Sequence, residues 1–297
     1  MEYRNYEIWH DEYRGDDKVN EYWHGILFVP SDKKTEINNL IKLIRREHNF
    51  KIEQNIKFAG VFKTGQKKKD YILNILQLFR HVLIVREDKA SSIFFHRTGK
   101  DIYEKKFKPF LKVNGIFGCK FALLKIPDNH ISFNYFSEYA KKVETTFRFI
   151  FKNACHSFFD EKNPIIIKKI YFDGNEHHGR NYDLIRMIPK DMRLYCKISD
   201  KIVVDDRSIK DRNDVTMLLS NFTDNIVGGL TAKINNTYDP KILYSINDLY
   251  DRVSKDEVFK LKNSKWYKSI ICSECSIHEG KLEFPNIFRD PNQIHLL

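Results

Sequence analysis

Two adjacent carboxylates, Asp11 and Glu12, end a short N-terminal segment of large side chains. Residues 6–10 mix apolar and polar side chains, as a β-strand does. Neighbouring residues on a strand point to opposite faces of a sheet, so only one of the two acids can face a given site. A carboxylate at the end of a central strand is a common ligand for a divalent cation, and the alternative is the polar start of a loop.

The composition indicates a soluble, globular protein. The chain has 297 residues, of which 42% are hydrophobic and 31% charged, and this length suggests one large domain or one domain with insertions. Lys and Arg number 51 against 40 Asp and Glu, and the formal charge of +11 favours nucleic acid as a partner. The alternative is that this charge is only compositional.

The cysteines and the apolar runs indicate a cytoplasmic protein. Five scattered cysteines, an odd number, argue against a disulfide framework and fit a reducing compartment. The first five residues are too polar for a signal peptide, and no apolar run approaches the roughly 20 residues of a membrane helix. We therefore expect no association with a membrane.

Alternating strand and helix patterns predict an α/β fold. Residues 22–29 form a second strand that ends at Pro30, and the turn chemistry of residues 14–17 favours an antiparallel hairpin with the first strand. Ser31 or Asp32 is expected to cap the first helix. Further strands are predicted over residues 55–62, 81–85, 116–126, 165–173, 193–198 and 201–204, and helices over residues 32–46, 67–79, 133–159, 182–187 and 211–233.

The polar and basic stretches set the expected domain organisation. Residues 1–235 form the main domain, and residues 86–112 are interpreted as an insertion or a surface lobe. Residues 236–297 mix short apolar runs with many charges, so we expect a charged C-terminal extension packed on the main domain.

Two more aspartates occupy positions that suggest a metal site. Asp173 ends the buried strand predicted over residues 165–173, and Asp224 is the single acid in the apolar face of a late helix, one turn before Gly228. An acid there is costly to bury unless it is paired or binds a cation. Convergence of Asp11, Asp173 and Asp224 would form a two-metal site for phosphodiester cleavage, with Mg²⁺ or Mn²⁺ ions about 4 Å apart.

The order of these elements and motifs resembles an RNase H-like domain-of-unknown-function family of bacterial nucleases. Residues 11–13, Asp-Glu-Tyr, match a family motif like Asp-Glu-Ser at the end of the first strand, and Asp173 matches the acid that ends a later buried strand. Residues 220–228 loosely match a helix motif like Leu-Gln-x-x-Asp-x-x-x-Gly. The resemblance spans about residues 5–232.

This resemblance implies an RNase H-like mixed β-sheet flanked by helices and a nuclease that acts on DNA or RNA. The three aspartates would bind the metal ions, Glu12 or Glu53 would assist them, and Lys57 would lie near the scissile phosphate. The family commonly carries Glu-x-Lys on its third strand, whereas this chain has Asn55 at the position of the Glu. The alternative is a catalytically degenerate nucleic-acid-binding or adaptor subunit, with a protein partner in a phage-defence or mobile-element system.

Three other motifs have a structural and a functional interpretation. Cys272 and Cys275 with His278 have the start of a zinc spacing, but no second ligand pair follows. Residues 177–178, two histidines after Asp173, either flank the metal site or lie in a polar turn. Three lysines, residues 67–69, form either a solvated helix face or a phosphate contact.

Overall fold

The computed structural model describes the parts of the chain from which the fold is built. These are residues 4–14, 21–58, 65–83, 118–127, 139–159, 161, 164–172, 188, 192, 194–205, 214–235, 270–285 and 287. The strands are β1 (Asn5–Arg14), β2 (Glu21–Pro30), β3 (Lys120–Pro127), β4 (Ile165–Tyr171), β5 (Cys196–Asp205), β6 (Ile270–Glu274), β7 (Ser276–His278) and β8 (Lys281–Glu283). The helices are α1 (Lys34–Glu47), α2 (Gln66–Leu83), α3 (Tyr139–Phe158) and α4 (Asp214–Ile234).

A mixed six-stranded sheet in the order β5-β4-β1-β2-β3-β6 forms the centre of the described structure. Strand β2 runs antiparallel to both of its neighbours, β1 and β3, while β4 is parallel to β1, β5 to β4 and β6 to β3. The predicted hairpin of β1 and β2 is confirmed, as is the α/β class. Strand β1 has a neighbour on each side, so its side chains project from the middle of the sheet.

The two faces of the sheet have separate apolar cores. On the first, which we call the α4 face, Trp9 and Trp23 pack with apolar residues of α1, α2 and α4. On the second, the α3 face, Ile8 and Phe28 pack with Phe147 and other apolar residues of α3. The alternation of β1 and β2 side chains between two apolar layers explains why both strands are buried.

The helices predicted from apolar periodicity are mostly confirmed, but the cap of the first helix and the strand predicted over residues 81–85 need correction. Helix α1 begins after Lys33, which makes no side-chain capping bond, so the prediction of Ser31 or Asp32 as the cap is wrong. Residues 81–83 continue helix α2, so the strand predicted over residues 81–85 is wrong for the part that the structure describes. A short apolar run fits a buried helix turn as well as a strand.

The strands differ from the predictions mainly in their bounds. Strand β3 starts just after Gly118, whose φ of +68° is a conformation that glycine adopts without steric cost. Strand β5 is continuous where two short strands were predicted, and its pairing with β4 shifts register between Ile167 and Lys169. This irregularity coincides with the break between the two predicted strands.

The C-terminal region supplies β6, which lies beside β3 in the main sheet. Cys272 packs in the core of the α4 face and Cys275 in the core of the α3 face. The two cysteines therefore lie on opposite sides of the sheet, which favours their structural interpretation over a shared zinc ion.

Several predictions fall outside the described residues. These are the insertion at 86–112, the helix around 182–187, the histidines at 177–178 and the whole segment of residues 236–269. Among the helices that the structure describes, none combines the length and the apolar character that crossing a membrane requires.

Candidate functional site

Asp11 and Glu12 lie within β1 and point to opposite faces of the sheet. In the antiparallel register Asp11 is opposite Gly25 and Glu12 is opposite His24. Asp11 shares its face with Trp9, which belongs to the core of the α4 face. Glu12 therefore lies on the α3 face, and the two acids belong to different sites.

Helix α4 crosses the sheet next to Asp11. A Cβ atom added to Gly25 would overlap Cγ2 of Val227, because α4 lies directly on this position of β2. Val227 is three residues after Asp224, hence about one helical turn away. Asp11 and Asp224 are both partly buried and lie on the same side of the sheet.

Polar side chains of α4 bind the backbone of residues 56–58. The Ile56 N–H donates to Oδ1 of Asn221 at 3.0 Å and the Phe58 N–H donates to Oδ2 of Asp224 at 2.9 Å. Nδ2 of Asn225 donates to the Ile56 carbonyl at 2.8 Å. The strand predicted over residues 55–62 is wrong for residues 55–58, because helix side chains take the place of a neighbouring strand.

The carboxylate of Asp224 has a neighbouring cation in Lys68. Burial lowers the pKa of Lys68, and the charge of Asp224 acts in the opposite direction. Lys67, by contrast, donates to the Asn49 carbonyl at 3.1 Å and lies over the ring of Phe50. Within the predicted lysine run, Lys68 therefore interacts electrostatically with the acid on α4.

The remaining predicted site residues occupy different surroundings. Lys57 is partly buried between Ile56 and Phe58, whereas Glu53 and Asn55 are exposed. Asp173 lies outside the described residues. Strand β4 ends two residues earlier, at Tyr171, whose register partner on β1 is Trp9. The structure therefore places two of the three predicted aspartates.

A second cluster, His10, Glu12 and His24, lies on the α3 face. Nε2 of His10 is 3.1 Å from Nδ1 of His24, and that nitrogen is 3.7 Å from Oε2 of Glu12. One ligand atom from each residue lies within 4.8 Å of the other two. The rings of Phe147 and Phe172 pack against His10, with centroids at 5.9 and 4.7 Å.

The sequence held part of the signal for this cluster. The spacing His10-x-Glu12 places both side chains on one face of a strand. The third member depends on the hairpin register, which sets His24 opposite Glu12. The loop between the strands leaves several registers open, so the sequence did not identify the cluster.

Comparisons with protein-family models, with curated proteins and with solved structures found no match to this chain. The candidate sites are therefore interpreted from their own chemistry.

Proposed function

We propose that this protein is an RNase H-like nuclease that depends on a divalent metal ion and cleaves phosphodiester bonds of DNA or RNA. The observation that carries the proposal is the placement of Asp11 and Asp224. Gly25, the register partner of Asp11, lies under α4 at Val227, one turn from Asp224. The mixed sheet with β1 at its centre supports the same proposal, since the resemblance implies such a sheet.

The donor atoms fit a hard cation. Mg²⁺ and Mn²⁺ prefer carboxylate oxygens, and Asp11 and Asp224 offer them from two rigid elements. The Phe58 N–H fixes the orientation of the Asp224 carboxylate. Asp173 is the third ligand in this proposal. When bound, the ions supply an activated water and stabilise the leaving oxygen.

The cationic side chains near Asp224 bind the substrate. Lys68 lies close enough to Asp224 to interact with its charge. Lys57 directly precedes Phe58, whose backbone N–H donates a hydrogen bond to Asp224. Ammonium groups at such a site attract the phosphate backbone of a nucleic acid. We assign Lys57 and Lys68 to positioning the scissile phosphate.

The test is cleavage of single- and double-stranded DNA and RNA by the purified protein with Mn²⁺. Asp11→Asn and Asp224→Asn should each lower the rate by at least about 100-fold, because even groups that only support metal ligands are worth about 10–100-fold. The amide of Asp224→Asn retains an oxygen that can accept the Phe58 N–H. Its fold should therefore survive, which far-UV circular dichroism would check.

Asp32→Asn is the matched control. Asp32 is exposed just beyond the end of β2, and its substitution should leave the rate unchanged. Wild-type protein that leaves every substrate uncut, or an Asp224→Asn variant as active as wild type, would count against the nuclease.

The alternative function is a non-catalytic nucleic-acid-binding or adaptor subunit. It is favoured by Asn55, which is exposed and uncharged where the family has a glutamate. Calorimetric titration with Mn²⁺ separates the two functions. A nuclease loses Mn²⁺ binding in Asp224→Asn, whereas an adaptor binds nucleic acid equally well with and without that carboxylate.

A further inference from the structure

We propose that His10, Glu12 and His24 form a second metal site, which binds a transition-metal ion of the Zn²⁺ class on the α3 face of the sheet. This site is separate from the proposed nuclease centre, because Asp11 and Glu12 project from opposite faces of β1. The proposal rests on the geometry of the three side chains and on the chemistry of their donor atoms.

The distances suit a tetrahedral ion. Bonds of about 2.0–2.1 Å from a zinc ion to nitrogen and oxygen place neighbouring ligand atoms about 3.3–3.4 Å apart. The separations of 3.1 Å between His10 and His24 and 3.7 Å between His24 and Glu12 lie on either side of that value. The remaining separation, between His10 and Glu12, is within 4.8 Å.

Paired backbone holds the ligands in place. Glu12 and His24 are direct partners in the antiparallel ladder of β1 and β2, and His10 is two residues from Glu12 on the same face. The relative exposure of His10 is 6% and that of His24 is 2%, while the Glu12 side chain is 13% exposed. Ligands on adjacent strands lose little conformational freedom when an ion binds.

The donor set selects a different metal from that of the aspartate site. Two imidazoles and one carboxylate suit zinc and its neighbours, whereas sites made only of carboxylates suit Mg²⁺ and Mn²⁺. The aromatic rings of Phe147 and Phe172 pack beside His10. An apolar surface of this kind limits the access of solvent to a metal. Three protein ligands leave a fourth position for water.

A direct hydrogen bond between the two imidazoles is the competing explanation, since 3.1 Å also suits an N–H···N bond. The two explanations differ in one measurable property. A hydrogen-bonded pair requires no metal, whereas the proposed site takes up one ion per chain.

The experiment is a titration of the full chain, freed of metal by a chelator, with Co²⁺ as a spectroscopic probe for Zn²⁺. We expect one equivalent of Co²⁺ to give the intense visible bands of a tetrahedral site, and Zn²⁺ to displace it and raise the melting temperature. Glu12→Gln and His24→Gln should weaken Co²⁺ binding by at least about tenfold, while His278→Gln, at an exposed histidine of β7, should not.

X-ray absorption at the zinc edge of the wild-type protein tests the proposal even if both variants fail to fold. We expect nitrogen and oxygen neighbours at about 2.0 Å with the scattering pattern of imidazole. Sulfur neighbours at about 2.3 Å would place the zinc on cysteines and overturn the proposal. Failure to bind Co²⁺, or unchanged binding in His24→Gln, would overturn it as well.

The outcome is independent of the nuclease proposal. Asp224→Asn removes a carboxylate on the α4 face and should bind Co²⁺ at the histidine site with unchanged affinity. Loss of Mn²⁺-dependent cleavage with retained Co²⁺ binding supports both sites. Absence of cleavage in wild-type protein that still binds Co²⁺ counts only against the nuclease.

Discussion

A single buried arginine holds the loop that leads to Lys57. Nη1 of Arg45 lies 2.8, 3.0 and 2.6 Å from the carbonyl oxygens of Lys51, Ile52 and Gln54. Its two hydrogens are therefore shared among three acceptors. Hydrogen bonds from a charged donor are stronger than neutral ones, so this residue fixes the path of a segment that the strand pattern did not explain.

Arg45→Lys should lower the free energy of unfolding by about 2 kcal/mol, because an ammonium group cannot reproduce the geometry of a guanidinium and leaves partly buried carbonyls without donors. Urea unfolding followed by circular dichroism measures the change. The neighbouring Arg46 is exposed, so Arg46→Lys should change stability by no more than about 0.5 kcal/mol. Equal effects of the two substitutions would contradict the structural role of Arg45.

His48, at the end of α1, should make stability depend on pH. Burial lowers the pKa of His48 from its ordinary value of 6.5, Lys67 lowers it further and Asp70 opposes the shift. Nδ2 of Asn74 lies 2.7 Å from Nε2 of His48, an arrangement that suits the neutral ring. The unfolded chain thus binds a proton more readily than the folded one, so stability is complete above about pH 6.5 and falls as the pH decreases towards the folded pKa.

Unfolding in urea at about pH 7.5 and about pH 5.5 checks this sign. Wild-type protein should lose more stability on acidification than His48→Gln does. His278→Gln, at an exposed position, should behave like wild type. A His48→Gln variant with the wild-type pH dependence would show that His48 does not contribute.

At the scale of secondary-structure elements, the close approach of α4 to its neighbours depends on glycine. A Cβ atom on Gly228 would lie 2.5 Å from Cβ of Phe58, and one on Gly25 would overlap Val227. In the sequence, Gly228 lies one turn after Asp224 in the apolar face of this helix. The structure adds that Gly228 makes room for Phe58, on the loop that α4 binds, and not for a strand.

Gly228→Ala should therefore destabilise the protein by about 1–3 kcal/mol through overpacking. The sign of the change in stability is informative, because replacing glycine by alanine at an unhindered helix position stabilises a helix by about 1 kcal/mol. Gly65→Ala is the control, since an added Cβ there has no neighbour within 4 Å and stability should change little. Chemical denaturation of both variants decides the question, and a stabilised Gly228→Ala would contradict the packing described for α4.

The elements with strong periodicity could be predicted from the sequence, and the partners of weaker ones could not. The apolar spacing of Ile37, Leu40, Ile41 and Ile44 gives α1 directly, because these residues form one buried face. The alternation around residues 55–58 correctly indicates burial of Ile56 and Phe58. It carries no information on whether a strand or a helix binds the backbone.

In the candidate sites, too, local sequence patterns predict some features, while others depend on tertiary contacts. Strand alternation predicts that Asp11 and Glu12 separate to opposite faces. The placement of Asp224 on the same side of the sheet as Asp11 follows from an acid in an apolar helix face that must cover the sheet. The inclusion of His24 in a site depends on strand register, which is set by tertiary packing and by the connecting loop.

At the scale of the whole molecule, the sheet is completed by a strand far away in the chain. Strand β6 pairs with β3, and Nζ of Lys125 on β3 lies between Glu21 of β2 and Glu274 of β6, at 2.5 and 3.8 Å. This pairing covers an edge of β3 that would otherwise expose unpaired backbone groups. The charges of residues 236–297 predicted an extension, but parallel pairing of a five-residue strand leaves no local pattern in the sequence.

The net charge of +11 yields a prediction for the binding of nucleic acid by the intact protein. If the protein neutralises phosphates, the logarithm of its association constant for duplex DNA should fall linearly with the logarithm of salt concentration, by about 0.9 per phosphate contacted. Fluorescence anisotropy in the presence of a chelator, which prevents cleavage, measures this slope.

Lys68→Gln should reduce the magnitude of this slope by about one, since Lys68 lies beside Asp224. Lys281→Gln, at an exposed position of β8, should leave the slope unchanged. A slope near zero would mean that the positive charge is compositional and that nucleic acid is not the partner.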